Sequence, residues 1–172
     1  MIKAIGICMT LAACGTMGIT WAGVYEKRTR HLVAIDSALQ LLETEIIYGA
    51  TPLSEAMMHV SKSCDTEISD LFKNTALELG RMEGVTAGEA WNSAVRVFQE
   101  QSVLNNSDLQ ILKRFGASLG VSDREDQAKH LELARSQLKL AAARAEAAAK
   151  KNSTVFRYMG FLGGLLLILV LY

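Results

Sequence analysis

Residues 116–120 read Gly116-Ala117-Ser118-Leu119-Gly120, a G-x-S-x-G pentapeptide. That spacing serves nucleophilic catalysis when the serine sits on a sharp strand-to-helix turn that lifts its hydroxyl toward a substrate. Here Leu109, Leu112, Phe115 and Leu119 recur at helical spacing through the pentapeptide, and no alternating strand pattern precedes it. The segment reads as the end of a helix and Ser118 as a capping or packing residue. A membrane-bound hydrolase built on Ser118 is the alternative that this reading displaces. His31, His59 and His130 are scattered, without a second ligand at metal-binding spacing; His130 and Glu132, two apart, do not share a helix face. They read as solvated or interface histidines. No G-x-x-x-x-G-K-[ST] loop occurs, so the chain is not expected to hydrolyse nucleotides itself. The expectation is a protein with no catalytic residue, no cofactor and no metal.

Other side chains suit contact rather than chemistry. Glu43, Glu45 and Tyr48 fall near the end of one predicted helix, Thr51 lies in the turn after it, and Glu55 is one turn past Pro52. With Asp123 and Arg124, which open the last helix, they form the candidate partner-docking set. The same residues could instead cap helices and tie them together. Trp91 shares a stripe with Val95 and Phe98, and reads as core rather than as an exposed anchor.

The elements that must position these residues are all helices. Leu32, Ile35, Leu39, Leu42 and Ile46 recur every three or four residues from about Glu26 to Tyr48, and Gly49 ends that helix. Thr51-Pro52 restarts the chain with threonine as cap and proline in the first helical position, for a short helix to about Ser63. Asp65 caps a third, with Ile68, Leu71, Phe72 and Leu79 on one face, and Gly80 and Gly84 bracket the following turn. Thr86-x-x-Glu89, Ser107-x-x-Gln110 and Ser122-x-x-Glu125 read as three capping boxes that open the last three helices. From Asp123 to about Asn152 nothing breaks the last helix. Leu131, Ala134, Leu138, Ala141 and Ala145 give it a narrow apolar face, and Glu146 to Lys150 spell a semi-rigid spacer motif.

The termini differ in kind. Ala4 to Tyr25 carry no charge and neither do Tyr158 to Tyr172, while all 18 acids and every base but Lys3 lie between. About 20 apolar residues cross a bilayer. Residues 1–25 and 153–172 are therefore expected to be transmembrane helices, the second near the lower limit of length, with Arg157 snorkelling to the headgroups. Gly160 and Gly164 stand at helix-packing spacing, the candidate membrane-packing pair. Lys27, Arg28 and Arg30 follow the first span and Lys150, Lys151 and Arg157 precede the second, which places residues 26–152 on the cytoplasmic side. The competing reading is an exported lipoprotein scaffold: Leu11-Ala12-Ala13-Cys14 fits a lipidation site, although the sequence stays apolar beyond it. The acids and bases balance to a net charge of zero with no one-signed stretch, which argues against nucleic acid as a partner. Cys64 is alone outside the apolar ends, so no disulfide can form within the middle domain.

Leu42-Glu43-Thr44-Glu45-Ile46-Ile47-Tyr48-Gly49-Ala50-Thr51-Pro52-Leu53-Ser54-Glu55-Ala56 resembles the signature of the stage III sporulation protein AB family. The resemblance continues at Phe115-Gly116-x-x-Leu119-Gly120-x-Ser122-Asp123-x-Glu125-x-Gln127 and at Gly160-x-x-Gly163-Gly164-Leu165. It implies a mother-cell membrane protein of endospore-forming bacteria, working in a secretion-like channel complex that joins mother cell and forespore. It implies a soluble domain similar to the cytoplasmic helical bundle of type II secretion and type IV pilus platform proteins, which works beside a cytoplasmic ATPase. The expected architecture is all-α: a six-helix cytoplasmic bundle with a long final helix, flanked by the two membrane helices. The expected partners are the other channel proteins, among them the ATPase, the membrane itself, and further copies of the chain.

Overall fold

The computed structural model describes the backbone of residues 2–81, 84–120 and 124–171, and the side chains of 23–81, 84–120 and 125–151. Six helices follow one another: α1 (Ile2–Ile47), α2 (Leu53–Ser63), α3 (Thr66–Gly80), α4 (Ala87–Gln101), α5 (Asn106–Ser118) and α6 (Arg124–Leu171). No strand occurs among the described residues. The chain divides into two compact units, Arg30–Ala142 and a second of Met1–Thr29 with Ala143–Tyr172.

The first unit is a bundle built on the predicted stripes. Leu32, Ile35, Leu39 and Leu42 of α1 are fully buried, as are Met57 of α2, Phe72 of α3, Leu112 of α5 and Leu131 and Leu138 of α6. Trp91 of α4 is the largest buried side chain and the hub of the packing. Its ring meets Phe72 edge-on at 5.4 Å and Phe115 edge-on at 5.1 Å, and its indole N–H donates to the Leu112 carbonyl at 2.8 Å. One side chain thus joins α3, α4 and α5 with its polar atom satisfied, the condition on which a buried tryptophan is stable. The helix backbones also approach closely here. A Cβ on Gly88 would lie 2.7 Å from the Gly116 carbonyl oxygen, and one on Gly116 would lie 2.4 Å from the Trp91 ring. Within this unit's part of α6 the buried face runs Leu131, Ala134, Leu138 and Ala142. It passes through Ala142 in place of the expected Ala141, because the 3.6-residue repeat carries the stripe one position further on.

Two of the predicted starts need correction. The box at α5 is Asn105 with Asp108: the Asn105 side chain accepts from the Asp108 N–H at 2.9 Å, and the Asp108 carboxylate accepts from the Asn105 N–H at 3.1 Å. Ser107 and Gln110 do not form it. Leu104 and Leu109, one before the cap and four after it, are both buried, the pattern of a hydrophobic staple that fixes the earlier start. Thr51 does not cap α2 either; its hydroxyl turns back to α1, and Pro52 stands at the cap position with no side-chain cap bond. The Thr86–Glu89 box forms as the sequence indicates. Ser122, of the third expected box, lies outside the described residues.

In the second unit the backbone of both termini is helical, and Glu146 pairs with Lys150 at 2.8 Å one turn apart. Among the described residues no helix is long and apolar enough to cross a membrane. The two spans expected from the sequence fall almost wholly outside the described side chains, and so do Cys14, Gly160 and Gly164.

Candidate functional site

Four of the seven candidate docking residues come together where α1 gives way to α2. The last turn of α1 unwinds through bonds from the Tyr48 and Gly49 N–H groups to the Thr44 carbonyl, and Ala50 then takes a left-handed φ of 50°. A non-glycine residue in that region stores on the order of 1 kcal/mol and persists only where its surroundings fix it. Here Thr51 fixes it. Its N–H donates to the Glu45 carbonyl at 3.2 Å and its hydroxyl to the Glu45 carboxylate at 2.8 Å. Gly49 leaves room for this clasp, since a Cβ there would stand 2.7 Å from the Glu45 carbonyl oxygen and 2.8 Å from the Thr51 hydroxyl. The other Glu45 oxygen faces His59 Nδ1 of α2 at 3.5 Å.

On this clasped corner Tyr48 is 83% exposed, and Pro52 and Glu55, which follow it in the chain, are exposed as well. Val33 and Leu41 also face solvent along α1, where Ser37 and Thr44 turn their hydroxyls onto the helix's own carbonyls. An aromatic ring held out on a fixed backbone suits recognition of another protein.

Glu43 belongs elsewhere. Its carboxylate accepts from Arg135 Nη1 of α6 at 2.6 Å, and the same guanidinium donates through Nε to Asp36 at 3.2 Å. It serves as a tie between α1 and α6. Asp123 lies outside the described residues, and Arg124 begins the described part of α6 without a described side chain. Sequence reasoning missed Arg135 and His59, the partners of Glu43 and Glu45. Helical spacing alone does not say which helices lie side by side, so it carried no signal for either.

Ser118 and His31 make contacts within the bundle. Ser118 donates to the Phe115 carbonyl at 2.7 Å in the last turn of α5, and a helix rather than a strand precedes it. His31 is not solvated, against the sequence expectation: it is buried beside Phe98, with Nε2 2.6 Å from a Glu67 carboxylate oxygen and Nδ1 unpartnered. His59 and His130 are exposed. No cluster of three metal-ligating side chains occurs among the described residues. Cys64 is half-buried, and burial, then the neighbouring Asp65, push its thiol above the ordinary value.

Residues 3–172 match the sequence profile of the family described as stage III sporulation protein AB. The stage III sporulation protein AB of Bacillus subtilis (strain 168) is 36% identical over 171 residues, which span 99% of each chain. A solved structure of a stage III sporulation protein AB superposes with a TM-score of 0.68 at 35% identity, over 72% of this chain and 97% of that one.

Proposed function

Since this chain belongs to the stage III sporulation protein AB family, we propose that it is a non-enzymatic platform component of the mother-cell-to-forespore channel complex required for endospore formation. Residues 1–25 and 153–172 anchor it in the mother-cell membrane around the forespore, and the bundle faces the cytoplasm. There the α1–α2 corner docks the complex's cytoplasmic ATPase and links it to the membrane channel.

The observation that carries this reading is Tyr48, 83% exposed on a corner that two Thr51–Glu45 hydrogen bonds hold in a strained turn. A floppy turn would lose conformational entropy on binding, whereas a clasped one presents its anchor ready-made. The clasp also decides which substitutions are informative. Glu45→Lys would break the turn, so a sporulation defect from it would not distinguish docking from folding. Tyr48→Ala and Glu55→Lys change exposed side chains only. Each should leave the protein folded and at normal abundance while lowering spore yield. Affinity for the purified ATPase should fall by about 30-fold, the loss of a 2 kcal/mol hot spot. Wild-type spore yield from the double variant would sink the assignment of this corner.

A further inference from the structure

A second surface lies apart from the α1–α2 corner. Between α5 and α6 runs a cavity of about 60 Å³, several times the ~10–15 Å³ that one water needs, open to solvent. Ile111, Arg114 and Phe115 of α5 form one wall, and His130, Leu133 and Gln137 of α6 the other. With Ser118 on α5 and Ala134 on α6, each set sits at i, i+3, i+4 and i+7 spacing, so two helical ridges flank a single groove. No acidic side chain lines it. Among the described residues the side chains of Arg114 and His130 have no ion-pair or hydrogen-bond partner. Leu133 is 56% exposed, and Leu140, two turns further along the same face, is 54% exposed.

Large apolar side chains seven residues apart on one exposed face match the contact repeat of a packed helix. The guanidinium at the rim sets the sign of what packs there. We propose that the α5–α6 groove receives a helix from a partner protein, with an aliphatic side chain entering between Ile111 and Leu133 and a carboxylate pairing with Arg114. The floor supplies the apolar contact of helix-in-groove recognition, and Arg114 fixes register and rejects a basic partner.

The test uses the full-length chain in detergent micelles, labelled at isoleucine and leucine methyl groups. The probes are two helical peptides with leucines one turn apart, flanked by glutamate in one and by lysine in the other. The glutamate peptide should shift the Ile111 and Leu133 methyl signals and bind at least tenfold tighter than the lysine peptide. Arg114→Glu, an exposed substitution whose fold is checked by circular dichroism, should reverse that order. Equal affinity for both peptides, shifts confined to other helices, no binding, or an order unchanged by Arg114→Glu each overturns the proposal. None of these readouts depends on Tyr48 or on sporulation, so a failure here is separable from a failure at the α1–α2 corner.

Discussion

Gly116 shows how a motif that looks catalytic can be a packing device. Its missing side chain lets α5 lie against α4, with the Trp91 ring 2.4 Å from where a Cβ would stand and the Asn92 side-chain oxygen at 3.3 Å. Gly116→Ala should therefore cost about 1–3 kcal/mol through forced displacement of the tryptophan, readable as a lower urea midpoint with unchanged m-value. An unchanged midpoint would mean the helices can slide apart freely. Glu89 bears on pH. Hydrogen bonds from the Thr86 N–H and hydroxyl hold its carboxyl below the usual value. Because the folded value is lowered, its stabilisation is present above the unfolded carboxyl value of about 4.3 and lost as pH falls through the folded one. The stability gap between wild type and Glu89→Gln should be constant above about pH 5 and shrink below it. A gap that does not change with pH would remove the charge from the cap. The Thr86–Glu89 box was readable in the sequence because cap and acceptor lie three residues apart. The pairing of Trp91 with Gly116 was not, since it joins residues 25 apart.

Among the elements, α1 and α6 within the Arg30–Ala142 unit are tied by a polar device as well as by their stripes. Arg135 bridges Asp36 and Glu43, and the three side chains retain 16%, 15% and 24% exposure. Arg135→Met would leave two partly buried carboxylates without their shared cation. The expected loss is about 2 kcal/mol, below the ~3–5 of a fully buried pair because some solvation persists. Adding Asp36→Asn and Glu43→Gln should recover most of it in urea unfolding, since the burden is unpaired charge rather than lost shape. No recovery would mean that Arg135 acts through packing of its stem. Existence and type of all six helices were legible from periodicity and punctuation. Their starts were less so: the box expected at Ser107 forms at Asn105 and Asp108, where Leu104 is buried just before the cap, and Thr51 turns back to Glu45 instead of capping α2.

For the whole molecule, if the uncharged ends anchor the chain as proposed, the question is on which side of the membrane the bundle lies. Cys64 can report it once Cys8 and Cys14 are changed to alanine. Its raised thiol leaves little thiolate near neutrality, so labelling with a membrane-impermeant maleimide should run at mildly alkaline pH, beside an unfolded control. Labelling only after permeabilisation is the expected result. Labelling in intact cells would move the bundle outside and favour the lipoprotein scaffold with an acylated Cys14.

The sequence by itself determined what depends on near neighbours along the chain: six helices, the faces they bury, the Thr86 cap and two uncharged ends. It also determined the family, because the segment around Tyr48-Gly49 and the turn after Phe115 are distinctive as strings. Only the tertiary structure decided which candidate residues belong together. Glu43 and Glu45 are two apart, yet one faces Arg135 of α6 and the other faces Thr51 and His59. Helix geometry points neighbouring side chains in different directions, and packing then decides what each of them meets.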